Sequence, residues 1–93
     1  MIRSFRDKRT EAVWNGEKPK GFPADLVRVA QRKLAQLNAA VTLEALRVPP
    51  GNRLEALGKD RVGQHSIRVN DQFRVVFTWR DGGADDVEIT DYH

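Results

Sequence analysis

The chain has 93 residues, 40 % hydrophobic and 31 % charged, with a net charge of +3, which suits one small domain, expected over residues 1–93. It has no cysteine and only two histidines. That excludes disulfides and thiolate chemistry and argues against a protein-only metal cage, so no metal or cofactor is expected. No apolar run exceeds three residues, against about 20 for a membrane span, and no charged-then-apolar leader opens the chain. A cytoplasmic protein without a membrane partner is therefore expected.

Ile2, Ser4 and Phe5 carry a weak signal for a short opening strand. Arg6 to Trp14 reads as a short basic helix, stopped by Asn15-Gly16. Glu17 to Pro23 has loop composition. Next, Leu26, Ala30, Leu34, Leu37 and Val41 recur at spacings of four and three. This predicts an amphipathic helix over Asp25 to Ala40 with those five on its buried face. Asp25 suits the first turn, where its carboxylate meets unpaired N–H groups. Thr42 is expected to cap a short turn through Leu46, and Pro49-Pro50-Gly51-Asn52 ends helical structure.

From there the period is two. Arg53 to Leu57 alternates, Gly58 to Gly63 is a charged loop, and Gln64 to Val69 and Gln72 to Arg80 read as strands. In the last of these, Phe73, Val75, Phe77 and Trp79 face one way and Arg74, Thr78 and Arg80 the other, with Val76 as the exception. Asp81-Gly82-Gly83 reads as a turn, and Val87 and Ile89 mark a final strand. Helices first and antiparallel hairpins second predict an α+β fold, with N-terminal helices packed on one face of a small antiparallel sheet.

The register of the first hairpin places two arginines together. A two-residue turn at Asn70-Asp71 would set Ile67 opposite Arg74 and mix core with solvent faces, which a half-buried sheet does not tolerate. A three-residue loop, Asn70-Asp71-Gln72, pairs Val69 with Phe73, Ile67 with Val75, and Arg68 with Arg74 on the far face. Like charges directly opposite repel unless an anion sits between them. That anion is either a bound phosphate or the acids of the last strand. Alternation along the last strand puts Tyr92 on the Arg68/Arg74 face and points Asp91 the other way.

Such a face fits metal-free RNA cleavage, in which the 2′-OH attacks the adjacent phosphate. Arg68 and Arg74 suit the charge of the transition state through paired donors. His93 suits proton donation to the leaving oxygen. Glu55 or Asp91 is the candidate base, and Tyr92 can stack on a nucleobase or hydrogen-bond the phosphate. Residues 1–33 hold nine Lys/Arg against four Asp/Glu, whereas residues 81–93 hold five acids and no base. Arg3, Arg6, Lys8 and Arg9 form the best nucleic-acid candidate outside the centre, and Lys59 and Arg61 of the charged loop are further candidates. The alternative for these charges is a solvated face. Trp14 and Trp79 read as core and His65 as structural.

The opening Met-Ile-Arg-Ser-Phe, the segment Asn52-Arg53-Leu54-Glu55-Ala56-Leu57 and the loop Asp60-Arg61-Val62-Gly63-Gln64 carry a family resemblance. So do Ser66-Ile67-Arg68-Val69-Asn70, the Phe73-Arg74 pair and the closing Asp91-Tyr92-His93. Together they resemble the HigB branch of RelE-type toxins across essentially the whole chain. The resemblance implies a microbial-ribonuclease-like α+β fold and the toxin of a type II toxin–antitoxin pair. It implies cleavage of mRNA in the ribosomal A site, neutralisation by a helix-turn-helix HigA-type antitoxin, and contact with operator DNA only through that antitoxin. It places Arg68 and Arg74 on the phosphate, Asp91, Tyr92 and His93 at the catalytic end, and the N-terminal basic residues on ribosomal RNA. Many members carry His-Pro-Leu-Lys where this chain reads Glu55-Ala56-Leu57-Gly58, with Lys59 one place later. A glutamate thus stands where the family has its usual histidine. The competing reading is a non-catalytic nucleic-acid-binding or co-repressor module.

Overall fold

A computed structural model describes residues 1–91 of the chain; the expectations for Tyr92 and His93 lie outside the described residues. Helix α1 spans Lys8–Trp14 and α2 spans Ala24–Ala39. Four strands follow, β1 (Glu55–Ala56), β2 (Gln64–Arg68), β3 (Phe73–Arg80) and β4 (Gly83–Asp91), in one antiparallel sheet of order β1-β2-β3-β4. Both helices lie on one face of the sheet. Val13 of α1 and Leu26, Val27, Ala30, Leu34 and Leu37 of α2 pack against Ile67, Val75, Phe77, Val87 and Ile89. Trp14 and Trp79 pack partly buried at the margin of that core, as expected.

Helix α1 starts two residues later than the sequence suggests, because Asp7 is its cap. The Asp7 carboxylate accepts from Thr10 N at 2.7 Å, satisfying an otherwise orphaned first-turn donor. Gly16, at φ +88°, takes the chain away. Helix α2 follows Pro23, keeps Asp25 in its first turn and ends at Ala39. The expectation for Val41 is therefore corrected. The helix stops before reaching it, Ala40 takes the buried place, and Val41 is 80 % exposed. The expected turn after Thr42 is present, with the Thr42 hydroxyl accepting from Ala45 N at 3.3 Å. The alternating stretch Arg53 to Leu57 forms a shorter strand than its pattern suggests, Glu55–Ala56, with Leu57 N adding one bond to Gln64 O at 2.9 Å.

The β2–β3 hairpin has the register that the face argument requires. Ile67 is opposite Val75, and Arg68 is opposite Arg74. The loop is Asn70-Asp71-Gln72, and Asn70 organises it. Its side-chain oxygen accepts from Gln72 N at 2.9 Å and Phe73 N at 2.7 Å, a local turn that asparagine forms readily. Arg80 pairs with Gly83, so the β3–β4 connection is a two-residue turn at Asp81-Gly82, both at positive φ (52° and 75°). That geometry matches the right-handed twist of the flanking strands.

β4 carries a bulge between the pairs Val76/Glu88 and Thr78/Asp85. Asp86, at φ 52°, is the extra residue. Without it, strict alternation from Ala84 would bury Asp86 and expose Val87. With it, Ala84 and Val87 are both fully buried. The N-terminal segment matches this spacing of three. Ile2 bridges Ala84 and Phe5 bridges Val87 in parallel. The outer N–H groups of β4 are thereby satisfied. Ala84 N donates to Met1 O and Val87 N to Ser4 O, each at 3.0 Å. Ile89 N donates to the buried Thr10 hydroxyl at 2.9 Å. An edge that would otherwise invite strand addition is closed.

Candidate functional site

Glu55, Arg68 and Arg74 come together on the sheet face turned away from the helices. Successive cross-strand rows are set by the ladder register. One row runs Gln64, Thr78, Asp85, the next Glu55, Ser66, Val76, Glu88, and the third Arg68, Arg74, Thr90. Val76, the exception in the β3 pattern, is fully buried on this face, as is Ser66. They form the floor between two groups of charged side chains.

Arg74 is the most constrained of these. Its Nη1 donates to Glu55 Oε1 at 3.0 Å, and its Nη2 donates to the Arg53 carbonyl at 2.6 Å. Only 13 % of its side chain is exposed, and its buried Nε has no partner among the described residues. The Arg53 carbonyl points at Arg74 because Arg53 is left-handed, at φ 46°, where it caps the turn Pro50–Asn52. Asn52 anchors that turn from inside the fold. Fully buried, it donates to Gln36 Oε1 at 3.0 Å and Leu46 O at 3.1 Å, and it accepts from Lys33 Nζ.

Arg68 is held differently. It pairs with Asp71 three residues on, and Asp71 is 99 % exposed. An ion pair with so solvated a partner contributes little and is readily exchanged for another anion. The like-charge repulsion across the hairpin is thus answered by Asp71 and Glu55. Asp91 lies opposite Phe73, one residue beyond the Arg74–Thr90 pair, and accepts from Gln72 Nε2 at 3.0 Å. Glu55 is therefore the candidate carboxylate that meets Arg74.

The other basic candidates divide into three groups. Arg3 is engaged at the hairpin end, with Nε and Nη2 each 3.1 Å from the two Asp85 oxygens, and it also donates to the Arg80 carbonyl. Hydrogen bonds from Arg3 and then Arg80 hold the Asp85 carboxyl below its ordinary pKa. Arg6 and Arg61 sit on either side of Glu88, at 3.7 and 3.8 Å. Lys8 and Lys59 are exposed, and Arg9 lies over the Phe22 ring at 4.5 Å.

Two residues near the site have no counterpart among the sequence candidates. Lys33 is only 8 % exposed, and its pKa is lowered first by burial and then by the charges of Arg32 and Arg68. Asn52 is its partner. The signal for Lys33 was its position: it lies three residues past Ala30 and four before Leu37, on the face that carries the apolar stripe. Asn52 gives no such signal, because Pro-Pro-Gly-Asn reads only as a turn.

A four-stranded antiparallel sheet backed by two helices is the fold of the RelE-like toxins. Residues 3–93 match the HigB-like toxin family, described as the RelE-like toxin of the type II toxin–antitoxin system HigB, and the chain belongs to that family. It is 41 % identical over 85 residues to Toxin HigB-1 of Vibrio cholerae serotype O1, covering 90 % of each chain. It is also 34 % identical over 76 residues to a Haemophilus influenzae protein described as uncharacterized, covering 81 % of this chain and 75 % of the other. In fold it matches the YoeB–YefM complex from Staphylococcus aureus, with a TM-score of 0.64 at 15 % identity over 100 % of this chain and 98 % of that one. The Staphylococcus aureus YoeB dimer matches with a TM-score of 0.57 at 17 % identity, over 99 % and 97 % of the two chains. The α+β fold expected from the element order is thus a RelE-like toxin fold.

Proposed function

We propose that this toxin is a ribosome-dependent endoribonuclease that cuts mRNA in A-site codons by metal-free 2′-OH attack and so halts translation. The observation that carries the proposal is the cross-strand pair of Arg68 and Arg74, with Glu55 3.0 Å from Arg74 on the same open face. The scissile phosphate displaces exposed Asp71 from Arg68 and meets the guanidinium of Arg74, which is already aimed by Glu55 and the Arg53 carbonyl. Preorganised donors of this kind stabilise the charge that builds on the phosphorane. Glu55 takes the 2′-OH proton, with Asp91 as the alternative base. His93 and Tyr92 complete the catalytic end as leaving-group acid and as a base-stacking or phosphate contact. Arg6, Lys8, Arg9, Lys59 and Arg61 hold ribosomal RNA, with Arg3 as the support of that surface.

On this reading residues 1–93 act as one domain in the cytoplasm. The partner is a HigA-type helix-turn-helix antitoxin, through which alone the toxin reaches operator DNA. The pairing of YoeB with YefM in the Staphylococcus aureus complex supports an antitoxin partner. Among the described residues no helix is long and apolar enough to cross a membrane.

A second reading, a non-catalytic RNA-binding or co-repressor module, draws on the closure of both terminal nitrogens of Arg74 by the chain itself. Cleavage-site mapping on a defined mRNA, with and without programmed ribosomes, separates the two. Cuts within codons that appear only with ribosomes are the expected result. Cuts without ribosomes would make the protein a free ribonuclease. No cuts from folded protein would leave the binding module.

A further inference from the structure

A pocket of about 330 Å³ opens on the arginine-bearing sheet face, lined by Arg6, Asp60, Arg61, Val62, Gln64 and Thr78. Its floor is the Gln64–Thr78 pair, four residues along each strand from Arg68 and Arg74. Even spacing keeps the pocket on the same face, and four residues place it roughly 13 Å from the arginine pair.

The pocket's chemistry is mixed, unlike a phosphate site. Arg6 and Arg61 stand 3.7 and 3.8 Å from Glu88, and Arg61 Nη1 makes a long 3.5 Å bond to Gln64 Oε1, contacts slack enough for a ligand to replace. Asp60 has no hydrogen bond or ion pair among the described residues, and neither has the Thr78 hydroxyl. Val62, 80 % exposed, stands at the rim of an otherwise polar lining. Carboxylate acceptor, guanidinium donors and an amide around one small cavity match the hydrogen-bonding edge of a nucleobase. Among the bases guanine matches best. A carboxylate accepts from its N1–H and N2 amino groups, and an arginine donates to O6 and N7.

The geometry points to a guanine-reading subsite formed by Asp60, Arg61 and Gln64, filled by a base of the RNA strand whose phosphate lies on Arg68 and Arg74. The assignment of the strand rests on the nuclease reading, but base binding does not, and the experiment keeps the two apart.

Amide shifts of the ¹⁵N-labelled protein are followed during titration with guanosine 5′-monophosphate and with uridine 5′-monophosphate, which share the phosphate. The guanine nucleotide is expected to move Arg61, Gln64 and Thr78 and to bind about tenfold tighter. Asp60→Asn is expected to erase that difference without changing the melting temperature, since the exposed Asp60 carboxylate has no hydrogen bond or ion pair among the described residues. Equal binding of the two nucleotides, or preference unchanged in Asp60→Asn, overturns the site. Cleavage mapping forms the second arm. Guanine enrichment at a fixed distance from the cut, lost in Asp60→Asn, supports the strand-borne base. Selective nucleotide binding with an unaltered cleavage map overturns that assignment and makes the ligand a free guanine nucleotide. A wild-type protein that binds the guanine nucleotide yet cuts nothing keeps the subsite and refutes the nuclease reading alone.

Discussion

Asn52→Ala tests the link between the buried interior and the arginine face. The substitution deletes two neutral hydrogen bonds, to Gln36 and Leu46 O, and removes the acceptor of Lys33. Each neutral bond contributes about 1 kcal/mol, and a bond to a charged group about 1.5–3 kcal/mol. Water entering the vacated polar space returns part of this, so the expected loss is about 3 kcal/mol. Against a stability of about 5–15 kcal/mol the variant still folds. For a domain of this size the melting temperature should fall by about 12–24 °C. A second effect should follow at the surface. The left-handed turn at Arg53 loses its anchor, so the carbonyl that holds Arg74 Nη2 is released, and cleavage should fall at temperatures where the variant is fully folded. Urea unfolding gives the stability, and single-turnover cleavage on programmed ribosomes gives the rate. The double variant Asn52→Ala/Lys33→Met should lose less than the sum of its parts, because Lys33 is no longer left without its acceptor. A loss below about 1 kcal/mol, or strict additivity of the two changes, would refute the account of the network.

Arg74→Lys keeps the charge but not the fork that spans Glu55, the Arg53 carbonyl and a phosphate; cleavage should drop by about 10²–10³ at temperatures where the variant is fully folded, and a folded, fully active variant would remove Arg74 from the chemistry. Thr10→Val keeps the shape but leaves the Ile89 N–H of β4 unpaired; a loss of about 1–3 kcal/mol and faster amide exchange at Ile89 are expected, and unchanged exchange would count against Thr10 as the edge cap. Asp85, held below its usual value of 3.8 by Arg3 and then Arg80, should contribute stability that is complete above that value and lost as pH falls below it. Thermal melts from pH 7 down to pH 2 should therefore show a flatter acid limb in Asp85→Asn, and parallel limbs would disprove the contribution.

Much of the candidate site was legible because strands obey a period of two. Ile67, Val69, Val75 and Phe77 must share a face, and with the three-residue loop this requirement alone puts Arg68 opposite Arg74. The same logic identified the buried stripe of α2, and it failed at Val41, where the helix had already ended. Glu55 is a candidate base from its residue type and from the family resemblance alone. Its contact with Arg74 was not legible, because β1 has only two paired residues and too little pattern to give a register.

The local pattern of the sequence determined the element types, the β2–β3 register and the arginine face, since neighbouring residues alone decide which way a strand's side chains point. Tertiary structure decided whatever depended on segments far apart in the chain. The bulge at Asp86 arises because Ala84 and Val87 must both be buried beside Ile2 and Phe5, a constraint absent from β4 itself. Arg3, outwardly part of a basic patch, is drawn to Asp85 across 82 positions. Asn52 and Lys33 acquire their importance only when the α2 interior meets the Pro-Gly turn, because a buried polar group must find its partner wherever the fold brings one.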